Sequence, residues 1–192
     1  MPPTSLILRQ LDTGGPGSME LANLLAAMGS RAHGVALLLL ALPDTLPLPL
    51  PSTSTVLGVP LVIIAAHLVL YGEGSRLPDR VGRLKIPHRV LHVLARYAAP
   101  VLESLERISR PRLLFLLRSD RAIGIVAWYL SVLLLLPVPL MNTAPAVCLV
   151  ALALGMLQRD GLIVAAGLVS TLVLTIMLVF FADFIESVVS SF

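Results

Sequence analysis

Apolar positions along this chain fall into blocks separated by proline, glycine and charge. From Val56 to Tyr71 the only ionisable group before the tyrosine is His67. From Ala122 to Gln158 there is no Asp, Glu, Lys, Arg or His, and from Leu162 to Ala182 there is again none. Runs of about 20 apolar residues match the hydrocarbon thickness of a bilayer, because a helix rises about 1.5 Å per residue. Lipid offers no partner to an unpaired backbone group, so these runs are expected to be helices. A short interfacial helix is predicted over Met19–Met28, capped by Ser18, with Glu20 in its first turn and Leu21, Leu24, Leu25 and Met28 on one face. Longer apolar helices follow at about Ala32–Leu42, Thr53–Tyr71 (with Pro60 inside it) and Asp120–Leu136. A twelve-residue helix over Ala146–Leu157 and a final span from Leu162 to about Phe184 complete the pattern.

Prolines cut this pattern twice. Pro43, Pro47, Pro49 and Pro51 break the chain over residues 43–52, and Pro137, Pro139 and Pro145 break it over residues 137–145. Proline removes a helix donor and restricts the residue before it, so neither stretch is expected to be continuous helix. Leu46-Pro47-Leu48-Pro49-Leu50-Pro51-Ser52-Thr53 aligns with Leu136-Pro137-Val138-Pro139-Leu140-Met141-Asn142-Thr143 at a constant offset of ninety residues. Each copy is an apolar helix, a Pro-x-Pro break, a small polar cluster and a second apolar helix. Each then ends in a polar turn, Gly72-Glu73-Gly74 or Arg159-Asp160-Gly161. Paired interruptions in corresponding halves are the pattern of repeat-built transporters. Broken backbone at membrane depth must be sheltered by protein or by a water-filled cavity, so two re-entrant hairpins covering one another are expected. The simpler alternative makes the prolines extramembrane turns between ordinary spans.

Charge is confined to the middle of the chain. Eleven of its fourteen Lys and Arg residues lie between Gly72 and Arg121, against five acids, a local surplus of six positive charges. Within that segment Val90, Leu91, Val93, Leu94, Tyr97, Val101, Leu102, Leu105 and Ile108 form an apolar stripe, which predicts a basic amphipathic helix lying on anionic headgroups. The positive-inside rule assigns the segment to the cytoplasm. A nucleic-acid partner fits an interleaved apolar face poorly.

Composition agrees. The 192 residues are 57% hydrophobic and 13% charged, with a mean hydropathy of +0.93, whereas a soluble domain carries about 25% charged residues. The expected fold class is therefore all-α, a polytopic helical membrane protein. Its parts are a flexible tail (1–17), a first membrane repeat (18–71), a basic cytoplasmic or interfacial segment (72–118) and a second repeat with the final span (119–192). The single cysteine, Cys148, reads as a buried small hydrophobe. The start lacks a basic stretch followed by an apolar core, so a cleaved signal is not expected.

Three stretches together carry a family resemblance: ALPDTLPLPLPSTSTVLGVPLVIIAAHLV (41–69), RLPDRVGRLKIP (76–87) and LLPVPLMNTAPAVCLVALALGMLQRDGLIVAAG (135–167). At these motifs the chain resembles the exopolysaccharide synthesis ExoD family of bacterial membrane proteins. The resemblance implies a multi-pass inner-membrane protein tied to exopolysaccharide production. It names a process and brings no catalytic residues.

Candidate ligand or ion contacts are Asp44, Ser52, Thr53, Ser54, Thr55, Asn142 and Thr143 at the two breaks, with His67 near the end of its helix. An acid at membrane depth is costly and faces a cavity or partner, which makes Asp44 the most suggestive of them, unless its loop is at the surface. The breaking prolines Pro43, Pro47, Pro49, Pro137, Pro139 and Pro145 read as structural, as do Arg159 and Asp160, expected to pair at an interfacial turn. His33, His88 and His92 show no ligand-like company, so no metal site and no cofactor are expected. No His–carboxylate pair is placed to activate a nucleophile, and there is no phosphate-binding glycine loop, so the chain is not expected to be an enzyme. Two functions compete. Either the breaks line a polar cavity handling an ion, a small solute or a lipid-linked sugar, or the chain is a scaffold binding anionic lipid or the polysaccharide machinery. Short helices also favour a homodimer.

Overall fold

The computed structural model describes residues 19–20, 31–45, 53–73, 75, 85–86, 120–136 and 142–190. Five helices account for nearly all of them: α1 (Ala32–Thr45), α2 (Thr53–Tyr71), α3 (Asp120–Leu135), α4 (Thr143–Gln158) and α5 (Gly161–Ser190). Two short extended pieces, β1 (Met19–Glu20) and β2 (Lys85–Ile86), pair antiparallel with Met19 opposite Ile86 and Glu20 opposite Lys85. The interfacial helix expected to start at Met19 is thus not helical at its beginning, where the backbone is held by this cross-chain pairing instead. The remainder of that predicted helix, the 1–17 tail and the basic stripe over 90–108 lie outside the described residues.

The first four helices form an up-down-up-down ring in which α1 packs on α2 and α4, α2 on α3, and α3 on α4, while α5 lies outside against α4. The contacts fix the directions. Gly34, at the start of α1, rests against Ala153, Met156 and Leu157 near the end of α4. Gly124, at the start of α3, meets Leu68 and Val69 near the end of α2, and Gly58 near the start of α2 meets Leu135 at the end of α3. Neighbours are therefore antiparallel, and both proline breaks fall at one end of the ring. We call this the open end. The opposite end gathers the starts of α1, α3 and α5 and the ends of α2 and α4, and we call it the closed end.

Two helix boundaries differ from expectation at the breaks. α1 continues through Pro43 and Asp44 to Thr45. Pro43 removes one backbone donor, but only in the last turn, where Thr45 Oγ1 donates to the Leu42 carbonyl at 2.6 Å. α4 starts at Thr143, with Pro145 inside its first turn, where a proline's missing N–H has no intrahelical partner to lose. The first break thus begins after Thr45, the second ends before Thr143, and the helices beside them have fourteen and sixteen residues. α2 has the expected bounds with Pro60 inside it. α5 runs on past Phe184 to Ser190.

The core is leucine-rich and centred on α1, in which Val35 to Ala41 are buried without exception. Leu61, Ile64 and Leu68 of α2, Ile123, Ala127, Leu130 and Leu134 of α3, and Leu149, Leu152 and Ala153 of α4 complete it. A helix apolar on every face must be enclosed on every face, by protein or by lipid. α5 meets the rest over its first half. Gly155 of α4 lets α5 approach so closely that a Cβ there would stand 2.6 Å from Val164 Cγ2 and 2.7 Å from the Val164 backbone nitrogen. Farther along, the Tyr129 hydroxyl donates to Thr175 Oγ1 at 3.2 Å, and the Thr175 hydroxyl donates to the Thr171 carbonyl at 2.8 Å. Beyond Thr175 the helix is bare, with Phe180 70% exposed and Phe181, Phe184 and Val189 also facing outward.

Among the described residues α5 is the one helix long and apolar enough to cross a membrane. α1, α2 and α4 supply shorter apolar helices.

Candidate functional site

Ionisable side chains collect at the closed end because four chain segments turn or start there. α2 ends at Tyr71, and Gly72 (φ 77°) turns the chain so that its N–H still bonds the Leu68 carbonyl at 2.9 Å. Glu73 and Ser75 follow in that turn, and the Ser75 hydroxyl donates to the Gly72 carbonyl at 2.8 Å. Asp120 opens α3 with a carboxyl about as far from Gly72 as van der Waals contact allows, and its charge suits the helix N-terminus. α4 stops by reversing its backbone at Arg159, which takes left-handed φ 52° and ψ 37°. The Arg159 and Asp160 N–H groups donate to the Met156 and Gly155 carbonyls at 3.2 and 3.1 Å, the paired bonds of a Schellman stop. Asp160 Oδ1 then accepts the Leu162 N–H at 2.9 Å, capping α5, which starts at Gly161.

Inside this rim lies a histidine pair. His33, in the first turn of α1, is 0% exposed. Its Nε2 is 3.0 Å from Nδ1 of His67 on α2, and the rings stack at a centroid distance of 5.3 Å with 14° between planes. His67 is half-buried, carries Ser75 Oγ at 3.4 Å from the same Nδ1, and faces the Tyr71 ring at 4.7 Å. His33 therefore has the company that local sequence denied it. The partner is 34 residues away, and only the antiparallel packing of α1 on α2 aligns the two.

Beside the pair, the Glu73 carboxyl is pushed up to about 7, first by burial and then by the nearby Asp120 charge, against the opposing pull of Arg159 and Arg31. A carboxyl so poised changes charge near neutral pH. Two imidazoles and a carboxyl titrating near 7 thus meet at this end, with two arginines and Asp120 setting the charge around the carboxyl.

The sequence-predicted contacts divide between the two ends. Asp44 is buried in the last turn of α1, while Asn142 and Thr143 lie half-buried at the start of α4. Thr53, Ser54 and Thr55 are in the first turn of α2, so these positions share the open end of the ring. Ser52, Pro47, Pro49, Pro137 and Pro139 lie outside the described residues, as do His88 and His92. His67 is at the opposite end, with Arg159 and Asp160. Between the ends, Leu37, Leu38, Leu39 and Leu40 are buried to 4% exposure or less, so apolar side chains separate the two polar regions.

Comparison with known proteins agrees with the residues quoted earlier. Residues 4–180 match the family described as exopolysaccharide synthesis, ExoD. The chain is 33% identical over 156 residues to Protein ExoD of Rhizobium meliloti (strain 1021), covering 78% of this chain and 65% of that protein. It is 29% identical over 168 residues to an uncharacterized protein of Synechocystis sp., covering 86% of this chain and 79% of that one. The match thus spans a little under two thirds of the Rhizobium protein's length. No solved structure matches the chain.

Proposed function

This chain belongs to the exopolysaccharide synthesis ExoD family, and on that premise we propose that it is a multi-pass inner-membrane protein that handles an ion, a small solute or a lipid-linked sugar at the polar open end of its ring. The observation that carries the reading is the mismatch between α5 and its neighbours. The charge-free stretch Leu162–Ala182 measures about 32 Å, a bilayer's hydrocarbon thickness. α1, α3 and α4, which share the closed end with it, measure about 21 to 24 Å at the same rise per residue, and α2 about 28 Å. If α5 spans the membrane, the breaks beside Asp44 and Asn142 stop about 8 to 11 Å short of the far surface. Backbone ends at that depth are tolerated only beside protein or a water-filled recess. Asp44, Thr45, Asn142 and Thr143 supply the polar lining of such a recess.

Orientation follows from charge. Arg31, Arg121 and Arg159 all sit at the closed end, and the basic segment leaves and rejoins the ring there at Ser75 and Asp120. Asp183 and Glu186 lie toward the far end of α5. The positive-inside rule makes the closed end cytoplasmic and the open end extracytoplasmic. No reacting group is invoked: the proposed role is non-enzymatic, with anionic lipid on the basic segment and a second copy along the bare half of α5.

Cysteines placed singly at Thr45, Asn142, Glu73 and Arg159 in a Cys148→Ala background test the topology. Labelling of the first two only from outside, and of the last two only from inside, is the expected pattern; labelling of both ends from one side overturns it. Replacing Asp44, Asn142 and Thr143 together by apolar residues tests the handling role, with loss of exopolysaccharide despite intact folding as the expected result. A second reading, a non-transporting scaffold of the polysaccharide machinery, is favoured by the leucine layer that separates the two polar ends. Retained exopolysaccharide in the triple variant, with no flux of ions or labelled lipid-linked sugar in proteoliposomes, selects the scaffold.

A further inference from the structure

Handling of a ligand at the open end makes no use of the arginines at the other. Gly34 of α1 packs against Ala153, Met156 and Leu157 of α4. Arg31 lies one turn before Gly34, and Arg159 two residues beyond Leu157, so antiparallel packing sets the two arginines on neighbouring helix ends. Arg31 is half-buried and Arg159 exposed, and among the described residues neither side chain forms a hydrogen bond or ion pair. Both guanidiniums act on one carboxyl, that of Glu73. Like charges gathered around one place repel unless an anion lies among them. The carboxyls at this end serve poorly. Asp160 is committed to the start of α5 through the Leu162 N–H. Asp120 lies beside Gly72 at the N-terminus of α3, whose dipole it already complements. Glu73 holds its proton up to about 7, because burial and Asp120 outweigh the pull of the arginines. A neutral carboxyl leaves both cations uncompensated and can itself donate a hydrogen bond.

We propose that Arg31 and Arg159 form a binding site for a phosphodiester group at the closed end of the ring, with the Glu73 carboxyl as a further donor. A guanidinium presents paired N–H donors that match two phosphate oxygens, a fit that a lysine ammonium does not offer. The starts of α1, α3 and α5 gather at the same end and turn the positive ends of their dipoles toward it. Depth favours a lipid as the source of the phosphate. Arg159 is only three residues before Leu162, where the charge-free stretch of α5 begins. If α5 spans the bilayer as proposed above, both arginines stand in the headgroup layer, which adds about 5 to 8 Å to each side of the hydrocarbon. The site is separate from the basic segment, since both of its arginines belong to the ring.

Binding is set by the proton on Glu73. With that proton in place, Arg31, Arg121 and Arg159 outnumber Asp120 and Asp160 by one charge. Without it the end is neutral, and a carboxylate competes for the same guanidiniums. His33 on α1, with His67 and Tyr71 on α2, completes the titratable groups around the turn that carries Glu73. Only the protonated form binds, so the competent fraction falls from about nine tenths at pH 6 to about one tenth at pH 8. Apparent affinity then weakens about tenfold.

The test measures phosphatidylglycerol bound to the detergent-purified full chain by native mass spectrometry, and dimethyl phosphate binding by ³¹P line broadening. Both are phosphodiesters whose own charge is constant between pH 6 and pH 8. Wild-type protein is expected to bind the lipid about tenfold more weakly at pH 8 than at pH 6. Arg31→Gln combined with Arg159→Gln should lose this pH-dependent lipid, whereas Arg107→Gln with Arg110→Gln, in the basic segment, should keep it. Glu73→Gln cannot ionise and should bind equally at both values, which separates its effect from that of the histidines. Equal binding by wild type at the two values overturns the site. So does pH-dependent binding that survives in the folded arginine double variant or in E73Q. Dimethyl phosphate bound in the same pH-dependent way, with no lipid retained, keeps the site and assigns it to a soluble phosphodiester. The cysteine-labelling pattern is independent of these readings, so the site can fail while the topology stands. A failed topology with retained binding removes only the argument from depth.

Discussion

The two ends of the helical ring are built from opposite materials. At the closed end every turn is tied: a Schellman stop at Arg159, a carboxylate cap from Asp160, a hydroxyl from Ser75 and a histidine pair beneath them. At the open end Asn142 makes no side-chain capping bond to α4, and the Thr45 hydroxyl bonds back only to its own last turn. Among the described residues at the closed end only the histidine pair ties two helices together, and the other bonds stop or start a helix in place.

The sharpest way to break this comparison is to add one methyl group at each end. Gly155→Ala would drive a Cβ into the Val164 backbone, and we expect a loss of about 2 to 3 kcal/mol, measured by reversible unfolding in mixed detergent. Gly58→Ala meets the Leu135 side chain at 3.0 Å, a neighbour that can rotate, and the alanine's helix preference offsets the crowding. It should be neutral to within about 1 kcal/mol. Equal losses at both sites would erase the distinction.

Caps give the next contrast. Asp160→Ala should cost about 1 kcal/mol, as removal of a side-chain cap usually does, while Asn142→Ala should cost only a few tenths. Arg159→Gly works in the other direction. Relief of a left-handed φ at a non-glycine residue should stabilise by about 0.5 to 1 kcal/mol, seen as a raised melting temperature.

Glu73 contributes the most pH-dependent effect. Its carboxyl binds a proton more tightly folded, at about 7, than unfolded, near 4.5. Ionising it therefore destabilises the fold, with no penalty below about 4.5, a growing one between 4.5 and about 7, and the full one above. Glu73→Gln should accordingly raise the melting temperature at pH 8 and leave it unchanged at pH 4. An equal shift at both values would mean that the carboxyl acts through packing rather than charge.

Much of the helical layout is legible in the order of residues. α2 can be read to its end residues, because polar and proline-rich chain flanks a single apolar run, and the turn around Arg159–Gly161 can be read for the same reason. The break boundaries are less so. Pro43 and Pro145 look like breakers, yet Pro145 sits in the first turn of α4, where its missing N–H has no intrahelical partner, and Pro43 forfeits only one helical bond near the end of α1. The histidine pair leaves no trace in the sequence, because no local pattern links positions 33 and 67.

What the sequence determines by itself is therefore what depends on near neighbours: which stretches are helical, where proline interrupts them, and that their surfaces suit lipid. Tertiary structure decides which of two strongly apolar helices is enclosed, since α1 sits at the core while the second half of α5 stands bare. It also decides that both breaks share one end and that two distant imidazoles meet at the other. Each of these follows from helix direction and packing, which close-approach contacts such as Gly155 against Val164 specify and which residue order along a single helix does not record.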